Sequence, residues 1–147
     1  MSPLAPNASG SMDALSFVSA SLDRRGEAAR SFSDFAINGK PLRSILGRDL
    51  ISVFGALPRE VERSYARLLW PKPHTPSRAV LYVCAQCGDL GCGYFGVAVR
   101  VEDDCVVWSA PGWNTLAISD DIGPFDGPWR DLWFDRVAYR SALGYYL

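Results

Sequence analysis

Apolar positions along this chain follow two rhythms, a period of two that marks strands and a period near 3.6 that marks helices. The best period-2 run is Phe95, Val97, Val99 and Val101, alternating with Gly96, Ala98, Arg100 and Glu102. Before it, Ala79 to Val83 is an almost unbroken apolar run, the pattern of a central strand. After it, Asp103-Asp104 predicts a tight turn and Cys105 to Ser109 a return strand. The three strands form an antiparallel meander over residues 79–110.

The first half is less regular. Leu15 and Phe17 alternate with serines across residues 14–22. Leu15, Val18 and Leu22 would also suit a helix face, but serines are poor in helix interiors, and a strand is favoured. Residues 23–30 are polar and read as a connection. Phe32, Phe35 and Ile37 mark a second strand that ends at Asn38-Gly39, a turn pair that tolerates positive φ. Pro41 suits the first turn of a short helix with Leu42, Ile45 and Leu46 on one face and Gly47 at its end. Leu50 to Phe54 is a short strand. A clearer helix runs from Pro58 to about Leu69, with Val61, Tyr65, Leu68 and Leu69 facing inward.

The prolines of Trp70-Pro71-Lys72-Pro73-His74-Thr75-Pro76 predict a stiff connector. Residues 111–128 read as loop. The last helix spans about Arg136 to Leu143. Asp135 is placed to cap it, and Phe134 and Tyr139 have the spacing of a hydrophobic staple. The sum is α+β: an antiparallel sheet of about four to six strands with two or three helices packed on it. Residues 1–12, rich in Pro, Ser and Ala, read as a flexible leader, and residues 13–147 as a single domain.

Composition narrows the function classes. The chain has 147 residues, a common size for one domain, and is 48% apolar and 21% charged. With 15 basic and 16 acidic residues and no cationic run, a nucleic-acid partner is not expected. No stretch approaches the ~20 apolar residues of a membrane span, and the leader lacks the cationic start and apolar core of a signal peptide. The expected compartment is the cytoplasm, where thiols stay reduced.

The chemistry concentrates in Tyr82-Val83-Cys84-Ala85-Gln86-Cys87-Gly88-Asp89-Leu90-Gly91-Cys92-Gly93. Cys84, Cys87 and Cys92 could hold one structural zinc, which needs a fourth ligand. Cys105 is too far: a strand and a turn separate it from Cys92, on the order of 30 Å at ~3.3 Å per residue. His74 and Asp89 are the remaining candidates. The alternatives are a glycine-rich turn of inert thiols with no cofactor, or a redox-responsive site. Gly-Asp-Leu-Gly after the second cysteine does not open the helix that a thioredoxin-like site uses.

No nucleophile elbow or phosphate-binding glycine loop is present. The single histidine, His74, sits in the Pro-rich connector. These absences argue against an enzyme; the alternative of a small enzyme of unknown class needs a pocket that the sequence does not reveal. The aromatic residues of the last third are mostly core, but Trp113 and Trp129 fall in Gly/Pro-rich loops. Trp and Arg are enriched in binding hot spots. Trp113, Asp120, Asp121, Trp129 and Arg130 are therefore the candidate partner-binding residues.

The cysteine motif, with Val106-Val107-Trp108 and the closing Phe134-Asp135-Arg136-x-x-Tyr139-x-x-x-Leu143, resembles a family of small, uncharacterised bacterial proteins, largely actinobacterial. The resemblance covers roughly residues 31–143 and implies no agreed activity. In size and style the chain is also similar to bacterial immunity proteins, which bind and neutralise a toxin. That likeness implies a non-catalytic interaction domain whose partner is a toxin domain.

Overall fold

A computed structural model describes residues 12–24, 27–47, 50–55, 57–84, 94–114, 122–124 and 129–147. The fold is α+β, with antiparallel sheets and three helices among the described residues. The cysteine turn beyond Cys84 lies outside the described residues.

Strands β1 (Leu15–Arg24) and β2 (Glu27–Ile37) form a long hairpin, with Phe17 opposite Phe35. β1 reaches Arg24 and β2 begins at Glu27, both within the stretch where polar composition predicts a connection. Strand pairing overrides the weak local preference there. The Asn38-Gly39 turn forms as predicted, with φ of 54° and 82°, and returns the chain as β3 (Lys40–Pro41). Helix α1 (Leu42–Leu46) follows and ends at Gly47 in the left-handed conformation. β1, β2 and β3 make one sheet.

The second sheet begins with β4 (Leu50–Ser52), beside β5 (Ser77–Cys84). β5, β6 (Tyr94–Glu102) and β7 (Cys105–Asn114) form the expected meander. β7 runs beyond the predicted return strand into the segment read as loop. Its far edge is shared by two short strands, β8 (Ile122–Pro124) on Gly112–Asn114 and β9 (Leu132–Asp135) on Cys105–Trp108. Helix α3 (Arg136–Leu143) leaves β9 directly. The Asp135 carboxylate accepts from Ala138 N–H at 2.9 Å, and the Phe134 and Tyr139 rings lie 5.2 Å apart, so the cap and the staple are both present.

Helix α2 (Arg59–Leu69) packs on a face that is shifted from the expected one only at its start. Glu62, Ala66 and Leu69 are buried, whereas Val61 is exposed. The cause lies in the preceding turn. Gly55 has φ of 89°, and its N–H donates to Glu62 Oε2. That bond draws Glu62 inward, while Tyr65, Leu68 and Leu69 of the expected face still pack against the core. Gly55 also packs against β2: a Cβ there would lie 2.7 Å from Ser33 N.

Two seams join the sheets. Ser33 N–H donates to Phe54 O at 2.9 Å, and Ser52 Oγ donates to Ser33 O. At the other seam, Asp13 forms a parallel bridge to Phe134. Its carboxylate takes both guanidinium nitrogens of Arg130 at 2.7 and 2.6 Å, Asn38 Nδ2 at 2.9 Å and Trp133 N–H at 3.0 Å. Between the seams lies a core containing Phe35, Tyr82, Phe95, Trp108 and Tyr139. Trp108 Nε1 donates to Tyr139 Oη at 3.0 Å, and Tyr139 Oη donates to Leu69 O at 2.6 Å.

Candidate functional site

Strand alternation builds one exposed surface from residues far apart in sequence. On β9, Leu132 and Phe134 point into the core while Trp133 and Asp135 point out. Register then sets two outward rows across β6, β7 and β9: Arg100–Val107–Trp133 and Glu102–Cys105–Asp135. Val107 is fully buried on this outer face, covered by its longer neighbours. Trp133 remains 37% exposed, with the Arg100 guanidinium 5.6 Å above its ring and Arg100 Nε on Glu102 Oε1 at 3.0 Å.

Exposed apolar groups extend this surface. Met12 is 46% exposed, and its Sδ lies 3.9 Å from Cys105 Sγ. Val137, at 75%, stands on the first turn of α3. Arg136 N–H donates to Asp104 O at 2.8 Å and holds that turn against the β6–β7 hairpin tip. The potential here is negative. Burial and the charges of Asp104, Asp135, Glu102 and Asp103 push the Cys105 thiol up, which keeps it protonated and a poor nucleophile. The surface is therefore apolar at its centre, acidic at its rim and carried on paired strands.

The predicted site residues are distributed differently. Cys84 ends β5, and Cys87, Asp89 and Cys92 lie outside the described residues. His74, with φ of 63°, precedes the opposite end of β5. The strand places Ser77, where it begins, about 20 Å from Cys84 at ~3.3 Å per residue. Cys105 lies at the far end of the β6–β7 ladder from Tyr94, since Glu102–Cys105 and Tyr94–Asn114 pair at opposite ends. Among the described residues no cluster of three metal-ligating side chains occurs.

Trp113 and Trp129 come together on one ring: their centroids lie 5.1 and 6.4 Å from that of Phe95, and both are half-buried. Arg130 is committed to Asp13, so its charge serves the seam between the sheets. Asp120 and Asp121 lie outside the described residues.

A second constellation was not foreseen. Asp34 on β2 is only 2% exposed and accepts from Tyr82 Oη, which is itself buried. Burial raises the Asp34 carboxyl, against the lowering effect of the Tyr82 hydroxyl, the Arg43 charge and the backbone N–H groups of Arg43 and Phe35. Asp34 lines a cavity of about 370 Å³ with Arg43, Ser44, Ser19, Pro41 and Val18. The sequence clue was an acid inside Phe32-Ser-Asp-Phe-Ala-Ile, within a run that otherwise supplies core. Met12, Asp13 and Trp133 carried no comparable clue, since pairing with distant strands defines their roles.

No protein-family model, curated protein or solved structure matches this chain.

Proposed function

We propose that this protein acts by binding another protein, as an immunity-type inhibitor that neutralises a bacterial toxin domain. The observation that carries the reading is the outer face of β6, β7 and β9. A half-exposed tryptophan with apolar neighbours, ringed by charge, has the anatomy of a binding hot spot. Paired strands and the α3 cap hold these side chains in place, so little ordering cost accompanies association. The carboxylates of Glu102, Asp103, Asp104 and Asp135 fit a partner with a basic contact surface. The likeness in size and style to immunity proteins points the same way.

The test is co-purification of the tagged chain from its source cells, with partners identified by mass spectrometry. A single basic protein or domain is expected, retained by the native chain and released at about 0.5 M salt, where surface charges are screened. Trp133→Ala and Asp104→Lys are each expected to abolish retention while the thermal midpoint stays near that of the native chain. Retention unchanged in both variants, or no specific partner at all, would overturn the proposal.

A further inference from the structure

The cavity beside Asp34 plays no part in the binding face on β6, β7 and β9. Its wall carries one fixed anion and one cation. Asp34 is held by the hydroxyl of Tyr82, a fully buried side chain. Arg43 projects from α1, with its guanidinium carbon 5.0 Å from the Phe32 ring centroid. Its Nε is buried and has no hydrogen-bond partner among the described residues. Ser19 and Ser44 add hydroxyls, and Val18 and Pro41 form the apolar wall. The volume of about 370 Å³ is at the small end of metabolite sites.

The pairing of charges selects the ligand class. A simple anion attracted to Arg43 also meets the carboxylate of Asp34, and a simple cation attracted to Asp34 also meets Arg43. A molecule with both charges a few bonds apart satisfies both walls. A planar guanidinium takes a carboxylate through two parallel N–H bonds, and an ammonium group supplies the donor that a carboxylate accepts. We propose that this cavity binds a small zwitterion of the free amino-acid class, with its carboxylate on Arg43 and its ammonium on Asp34.

The full chain is titrated with each of the common L-amino acids, and with acetate and ethylamine as half-ligands, by calorimetry and by the Arg43 Nε–H nuclear resonance. At least one amino acid is expected to bind saturably and shift that resonance. Arg43→Gln and Asp34→Asn are each expected to weaken its binding by about tenfold or more, as a lost charge-assisted contact does. Each half-ligand should bind weaker than the amino acid by a similar factor. Should Asp34→Asn unfold, Arg43→Gln decides alone. No saturable response from any amino acid at about 10 mM, a concentration well above a millimolar dissociation constant, overturns the proposal. So does unchanged affinity in Arg43→Gln, or acetate binding as tightly as the amino acid.

Discussion

Two aspartates, Asp13 just before β1 and Asp34 on β2, respond to acid in opposite directions. Burial alone would raise the Asp13 carboxyl, but the hydrogen bonds from Arg130, Asn38 and Trp133 and the Arg130 charge bring it below its ordinary 3.8. A depressed carboxyl contributes stability above its unfolded value and loses it as pH falls through the folded one. Asp13→Asn should therefore be less stable than the native chain at neutral pH, with the gap narrowing below about pH 4, as urea midpoints measured across that range would show. Asp34 is raised, so its contribution is complete below 3.8 and is lost as pH climbs through the higher folded value. Relative to the native chain, Asp34→Asn should gain stability as pH rises through that window, and a parallel pH dependence of the two chains would refute this. Tyr139 offers a simpler case. Its hydroxyl pairs Trp108 Nε1 and Leu69 O in the core, so Tyr139→Phe orphans both. The expected loss is about 1–3 kcal/mol in urea unfolding.

At the level of elements, caps and turns make sharp predictions. Asp135→Ala removes the acceptor for Ala138 N–H and should cost about 1 kcal/mol in the same unfolding measurement. Gly55→Ala meets two penalties, a positive φ and a Cβ close to Ser33 N. It should cost about 1–3 kcal/mol, the usual scale of overpacking, and a neutral result would mean that β2 can move away. These local devices are also what the sequence made legible. Asn38-Gly39, Gly47, Asp135 and the Phe134/Tyr139 pair were readable because each acts within a few residues, and the meander was readable because Phe95 to Val101 alternates cleanly. What escaped was decided at long range. β8 and β9 exist because β7 offers them an edge, which neither Gly/Pro-rich residues 111–128 nor the short run Leu132–Asp135 marks by periodicity. Glu62 faces inward because of Gly55, which the apolar pattern of α2 does not encode. Arg130 looks like a free recognition residue until its partner, 117 residues away, is known.

Across the molecule, the hairpin sheet and the meander sheet bury one another's inner faces, and the outer face of β6, β7 and β9 is left to solvent. Within the described residues no helix is long and apolar enough to cross a membrane. Trp133, Met12 and Val137 remain exposed on or beside that outer face, where burial against a partner would use them. A further test of that division uses stability alone. Trp133→Ala should shift the thermal midpoint by no more than a few degrees, because Val107 beneath it is already held by three strands. A loss as large as that of Tyr139→Phe would identify Trp133 as a structural residue instead.

The Asp13 seam has a consequence for synthesis. The ribosome delivers this chain from its amino end, and the β1–β2 hairpin can form as soon as it emerges. Asp13 must then wait for Arg130 and Trp133, and the indole N–H of Trp108 must wait for Tyr139. Arg130 follows Asp13 by 117 residues, and Tyr139 follows Trp108 by 31. The native core therefore closes only once residues 130–139 have emerged, and until then the nascent chain presents an incomplete apolar surface of the kind that chaperones recognise.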